Sequence, residues 1–278
     1  MFHIYRIIGN DLPVRHSPTQ SEDNLRFILE NEALPSEARR IFILNRIADL
    51  PKQARLIKIL QEYKSEFFAI RFDFKLFKSL PTYLDQVKYA TNVNPARNYC
   101  LDMSRQSLDR PTLTVPLDGN CMFVSDGYED MARTAAMNRL CEYFYIPMCR
   151  CTDYCDVFEG RFSLKENYKY GDMQIVGAVE PQLAFRNKNN TEKFNPDLEY
   201  GRVDKAELLF RLGIEGIWTR WIGAAVDKIP SRIKLEHKPL PAGFVCRLPS
   251  GNVESDTNNQ ARGAARAEGL KRLIKSIK

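Results

Sequence analysis

"TVPLDGNC", residues 114–121, is an apolar run that stops on Asp118, Gly119 and Asn120. Side chains alternate along an extended chain, so Asp118 and Asn120 fall on one side, with only a glycine between them to leave room for a ligand. The run is preceded by "NPARNYCLDMSRQSL", which reads as a helix with Asn94 as cap and Pro95 in the first turn. It is followed by "GYEDMARTAAMNRL", a helix for which Asp126 is the expected cap. Further upstream, "FHIYRII" (2–8), "RRIFILNR" (39–46) and "EFFAIRFDF" (66–74) read as strands. Helices between them start at Ser21 and at Asp49 with Pro51. Strands alternating with helices in this way predict an α/β fold, a mostly parallel central sheet flanked by helices. Ligands of such sheets sit outside the carboxyl ends of the strands. Asn10 and Asp11, Asn45 and Arg46, Asp73, and Asp118 with Asn120 all fall at such ends.

The second half is less regular. "CEYFYIPMCRCTDYCDVF" and "QIVGAVEPQLAF" hold strands, and "DKAELLFRLG" is a short helix stopped by Gly213. Asp204 and Glu207 have the spacing of a capping box. "SGNVESDTNNQARG" reads as a polar linker, and "AARAEGLKRLIKSIK" carries Ala267, Leu270, Ile274 and Ile277 at helical spacing under a basic face. The expected organisation is one domain over residues 1–250, its two halves about 1–125 and about 126–250, followed by linker and basic amphipathic helix over 251–278.

The chain has 278 residues, 44% of them hydrophobic, enough for a large core, and its net charge is +6. Arg262, Arg266, Lys271, Arg272, Lys275 and Lys278 against Glu268 place most of that charge in the last twenty residues. The body therefore lacks the basic stripe that nucleic acid requires. The basic tail allows a weak, peripheral contact with an anionic membrane, or packing of its apolar stripe on the domain. The apolar start, interrupted by Arg6, reads as a first strand and not as a signal peptide. Seven cysteines, an odd number, fit reduced thiols and a cytoplasmic setting. Cys149 and Cys151 share a strand face, with Cys141 and Cys155 nearby, but this spacing is not a usual zinc knuckle, and buried thiols account for it.

No G-x-G-x-x-G, no G-x-x-x-x-G-K-[ST], no H-E-x-x-H and no G-x-S-x-G occurs, which excludes the usual dinucleotide, P-loop, zinc-protease and serine-hydrolase signatures. Two oxygen-bearing side chains at a sheet edge suit Mg²⁺ or Mn²⁺ shared with phosphates. "RIIGND", "NPARNYCL" and "VPLDGNCMF", with "EPQLAFR", "FNPDLEYG" and "RVDKAELLFRLG" further on, resemble in order the glycosyltransferases of the GT-A fold, which use nucleotide-diphosphate sugars. The resemblance spans residues 2–221 and is sharpest from Asn94 to Phe123.

The resemblance implies roles. Asp118 and Asn120 stand where the family's D-x-D motif binds metal and diphosphate, with Asn in place of the last Asp. Asn10, Asp11, Arg97 and Asn98 stand on the donor side, and Arg15, Asn45 and Asp73 are further donor candidates. Asp204 stands near the acceptor-side carboxylate that acts as base, with Glu180 as its rival. Trp218 and Trp221 are an acceptor platform or part of the core. The alternatives to sugar transfer are a nucleotidyltransferase and a degenerate module that binds nucleotide or sugar without turnover.

Overall fold

The computed structural model describes residues 1–107, 112–159, 167–170, 173–176, 180–187, 191–198, 204–216, 218, 219, 222, 230–251 and 259–277. The first half runs β1 (Phe2–Ile8), α1 (Gln20–Asn31), β2 (Ala38–Asn45), α2 (Leu50–Glu62), β3 (Glu66–Ile70), α3 (Phe74–Ser79), α4 (Tyr83–Thr91), α5 (Asn94–Gln106) and β4 (Leu113–Asp118). Next come β5 (Cys121–Phe123), α6 (Ser125–Met137), β6 (Tyr143–Ile146), β7 (Met148–Arg150), α7 (Cys155–Glu159), β8 (Asn167–Tyr170) and β9 (Met173–Val176). The chain ends with β10 (Gln182–Arg186), α8 (Ala206–Arg211), β11 (Leu240–Pro241), β12 (Val245–Arg247) and α9 (Asn259–Ile277).

Seven strands form the main sheet in the order β11-β6-β10-β4-β1-β2-β3. β1 pairs in parallel with β2 and β4, β2 with β3, and β6 with β11, while β10 is antiparallel to both neighbours. This is the α/β class with a mostly parallel sheet that the order of elements predicts. β1 is buried along its whole length because helices cover both faces. Period-two alternation sorts its side chains. Ile8 packs with Leu25 and Ile28 of α1 and Leu56 and Leu60 of α2. Tyr5 and Ile7 face Ala96 and Cys100 of α5 on the other side. Met131 and Ala135 of α6 close the first face over β4, and Leu208 and Leu209 of α8 extend the second over β10.

The strand-period reading of residues 66–74 overshoots. β3 stops at Ile70, and Asp73 caps α3 by accepting a hydrogen bond from the Leu76 N–H at 2.9 Å. The Asp49 cap and Pro51 start α2 as expected, and Gly213 (φ 75°) ends α8 with Ile214 N–H bonding to the Leu209 carbonyl. Other caps differ: Asn94, Ser21 and Asp126 lie inside the first turns of α5, α1 and α6.

The C-terminal helix packs its stripe inward. Leu273, Ile274 and Ile277 join Leu12, Phe72, Phe77 and Val87 in one apolar cluster, with Leu270 against it, while Ala267 is exposed. Gly269 meets the loop after β1, where an added Cβ would stand 2.8 Å from the Leu12 Cβ and the Pro13 carbonyl oxygen. The apolar stripe that a bilayer would take up is therefore used inside the domain. No helix among the described residues is long and apolar enough to cross a membrane. Residues 252–258 of the expected linker, and Trp221, lie outside the described residues.

Candidate functional site

β10 pairs with β4 at Phe185–Thr114 and Arg186–Leu113, and no further. Pro116, two residues on, has no N–H to offer. The two strands separate there, and Gln182 at the start of β10 reaches Asp118 at the end of β4. The Asp118 carboxylate is the centre of a bonded cluster. Its Oδ1 accepts from Arg97 Nη2 at 2.6 Å, and its Oδ2 from Gln182 Nε2 at 2.9 Å and Lys205 Nζ at 3.2 Å.

Arg97 sits one turn into α5, whose buried face carries Asn94, Ala96, Arg97, Cys100 and Leu101. Its Nη1 donates to Asn94 Oδ1 at 2.6 Å and to Asp204 Oδ2 at 3.1 Å, and its guanidinium lies 5.3 Å from the Phe194 ring centroid. Asn94 in turn donates to the carbonyls of Asn195 and Asp204. Two cations and two carboxylates thus balance in one network. Side-chain exposure is 2% for Arg97 and Lys205, 9% for Asp204 and 28% for Asp118, so Asp118 is the member that opens to solvent. Burial opposes its charge, but Lys205 and then Arg97 outweigh burial and hold the carboxyl well below the usual carboxylate range. Burial likewise pulls on Arg97, and Asp118 and Asp204 push its guanidinium above its ordinary value.

The tip after Asp118 is held from below. Arg6 and Glu32 form a fully buried ion pair; Arg6 Nε donates to the Cys121 carbonyl at 2.9 Å, and Glu32 Oε1 accepts from the Phe123 N–H at 2.8 Å. Gly119 is required by packing: a Cβ there would stand 2.7 Å from the Ile7 carbonyl oxygen. That contact by itself demands a glycine. Asn120 Nδ2 donates to the Leu248 carbonyl at 3.2 Å, and the Leu248 N–H returns a bond to the Asn120 carbonyl at 2.8 Å.

Several expected donor residues are braces. Asn10 Nδ2 donates to the carbonyls of Arg46 and Ala90, and its Oδ1 accepts from the Ala48 N–H, so its amide ties β1 to β2 and α4. Asp11 pairs with Lys52 and accepts from Ser21 Oγ at 2.6 Å. Burial, then nearby Arg55, lowers the Lys52 ammonium to about 8. Asn45 donates to the Asn92 carbonyl at 3.2 Å, and Asn98 clamps Phe194 through both backbone groups. Arg15 is buried in the loop after β1, and Asp73 is an exposed helix cap.

Of the residues expected on the acceptor side, Asp204 does not cap α8: the cap position is Lys205, and the Glu207 carboxylate pairs with Arg211. Asp204 Oδ1 carries no hydrogen bond among the described residues. Glu180 is half-buried beside the cluster, its carbonyl 3.5 Å from Lys205 Nζ. Trp218 is 1% exposed and donates to the Ile214 carbonyl at 3.3 Å, so it belongs to the core and offers no open face to a sugar. Cys149 and Cys151 are buried, Cys155 is exposed, and the Cys141 thiol is 3.0 Å from the Tyr143 carbonyl.

The residues expected to hold Mn²⁺ or Mg²⁺ do not fit that ion as they stand. Between them the two Asp118 oxygens already accept from three donors, two of them cationic, and Asn120, whose Nδ2 is bonded to the Leu248 carbonyl, would offer an ion only a neutral amide oxygen. No group of three or more His, Cys, Asp or Glu able to hold a metal occurs among the described residues. Sequence reasoning missed Lys205, Gln182 and the bonding role of Asn94. Their one signal was position: Lys205 follows Asp204 directly, and Gln182 opens a strand two residues after Glu180.

No family model and no curated protein sequence matches the chain. Among solved structures, it is similar to S. aureus TarS 1–349, at 11% identity and TM-score 0.46 over 99% of this chain and 72% of that one. It is similar to a mannosyltransferase from Pyrobaculum calidifontis, in complex with GDP-Man and Mn²⁺, at 9% identity and TM-score 0.47, covering 99% and 64%. A third is a 4-diphosphocytidyl-2C-methyl-D-erythritol synthase from Anaerococcus prevotii, at 11% identity and TM-score 0.36, covering 96% and 95%. All three scores are low, and these likenesses assign no role to any residue of this chain.

Proposed function

We propose that the chain is a GT-A-like glycosyltransferase that moves a sugar from a nucleotide-diphosphate donor to a hydroxyl acceptor. The observation that carries this reading is the Arg97 fork, which joins the "NPARN" helix, the "LDGN" strand end and Asp204 in one buried network at the carboxyl end of the sheet. In this reading the donor lies across the strand tips with its nucleoside toward the loop after β1, and Asp118 is the anchor at which the diphosphate and sugar meet. The acceptor oxygen forms the new bond to the anomeric carbon as the bond to the diphosphate breaks. Asp204 takes the acceptor's proton on the Oδ1 that Arg97 leaves open, and Glu180 is the rival base. The leaving diphosphate needs fixed positive charge more than covalent help.

The test is a panel of nucleotide sugars scored for release of nucleoside diphosphate, with an alcohol or sugar acceptor and with water. Release from one donor, lost in Asp204→Asn but with donor affinity kept, supports the assignment. No release from any donor, together with a nucleotide that still binds, favours the module without turnover. That second reading has its own observation, the complete engagement of Asp118 by the chain itself.

A further inference from the structure

The bonding of Asp118 has a consequence for the ion such sites are expected to use. A divalent cation needs carboxylate oxygens at close range, and here three of the four oxygens of the two nearby carboxylates are already engaged, Asp204 Oδ1 being the open one among the described residues. Lys205 and Gln182 hold Asp118 Oδ2, Arg97 holds Asp118 Oδ1, and Arg97 also holds Asp204 Oδ2. The third candidate ligand is an amide, Asn120, whose Nδ2 and backbone carbonyl are bonded to Leu248 and whose Oδ1 would bring no negative charge to an ion.

A metal ion at Asp118 would also stand next to two like charges. Arg97 and Lys205 are each only 2% exposed, so water and salt would screen that repulsion poorly. Neither cation can easily swing away. Arg97 is tied to Asn94 and lies over Phe194. Lys205 sits at the start of α8, which Leu208, Leu209 and Leu212 anchor in the core beside Trp218, and its ammonium also reaches the Glu180 carbonyl. The tip cannot reshape around an ion either, since Gly119 is packed against Ile7 and the backbone beyond it is held by Arg6 and Glu32.

We propose that Lys205 stands in for the divalent cation at Asp118, so that this chain binds a nucleotide diphosphate without metal. The inference rests on the proposed function, because it concerns how that same site meets its donor. A lysine here is a permanent part of the site: its charge is delivered by the fold and does not depend on divalent metal in the medium. The Asn at position 120 belongs to the same arrangement, since a second carboxylate beside Asp118 has no ion to hold.

The experiment is a thermal-shift and calorimetric titration of the full chain with uridine, guanosine, adenosine, cytidine and thymidine diphosphates, each in EDTA and in Mn²⁺, and with Mn²⁺ alone. The expected result is one nucleotide that shifts the melting temperature equally in both buffers, and no binding of Mn²⁺ by itself. Lys205→Met should bind that nucleotide in EDTA at least about tenfold more weakly, the worth of one charge-assisted hydrogen bond. Lys205→Arg should retain metal-free binding, which separates loss of charge from loss of fold. Asn120→Asp alone should bind no Mn²⁺, and Lys205→Met with Asn120→Asp should acquire Mn²⁺-dependent nucleotide binding. A wild-type shift that EDTA abolishes, or micromolar Mn²⁺ binding by the wild type, overturns this inference and leaves the proposed function standing. A chain that no nucleoside diphosphate shifts in either buffer overturns both.

Discussion

Replacing Arg97 by Met removes the cation that two carboxylates share, and the structure says which of them suffers. Asp118 keeps Lys205 and Gln182. Asp204, 9% exposed, keeps no other side-chain partner among the described residues. Stranding one member of a buried pair costs about 3–5 kcal/mol. Loss of the contact with Phe194 adds about 0.5–1 kcal/mol. Urea denaturation at pH 7, followed by circular dichroism, should therefore show Arg97→Met less stable by about 3.5–6 kcal/mol. Adding Asp204→Asn should recover about 2 kcal/mol or more of this, because it removes the stranded charge. Adding Asp118→Asn should recover little, since it strands Lys205 in turn. An Arg97→Met change within about 0.5 kcal/mol of wild type, or better rescue at Asp118 than at Asp204, would refute the network as drawn.

The Asp118 carboxyl, depressed in the fold, stabilises the protein above its ordinary value near about 3.9, and that stabilisation is lost as pH falls below it. Wild type should out-melt Asp118→Asn at pH 7, with the gap closing in acid; a gap unchanged down to about pH 3 would count against the assignment. Gly119→Ala should lower the urea midpoint by an overpacking cost of about 1–3 kcal/mol, while Gly9→Ala, with nothing within 4 Å of the added Cβ, should be nearly silent. Equal effects at the two glycines would show that the Ile7 contact does not matter. Ile274→Ala in α9, at a 2% exposed position, should cost about 2–5 kcal/mol. The full chain carrying Lys271→Glu and Lys275→Glu should co-sediment with anionic vesicles no less than wild type, because the apolar stripe of α9 is used inside the domain. A salt-sensitive loss of sedimentation would restore the membrane reading of the tail.

The sequence determined the α/β class, because strand and helix periods are written locally: alternating Ile41–Leu44 and the apolar run 113–117 can bury only as strands between helices. It also placed Asp118 at a strand's carboxyl end and Arg97 on the preceding helix, since both follow from a turn signal and a helix start. Local signals misled where two structures share one pattern. Phe72 and Phe74 continue the alternation of β3, yet Asp73 between them prefers to cap a helix. The Asp204–Glu207 spacing fits a capping box, yet each carboxylate has an arginine to bind, Arg97 and Arg211. Polar strand ends looked equivalent in sequence, but Asn10 and Asn45 are consumed by backbone groups that only the packed fold brings near. Tertiary structure alone decided which distant donors meet Asp118. Gln182 and Lys205 lie 64 and 87 residues away along the chain, and no periodicity carries that distance. Side-chain period tells which face a residue takes, whereas the partner it meets is fixed by how whole elements dock, here β10 and α8 against the open end of β4.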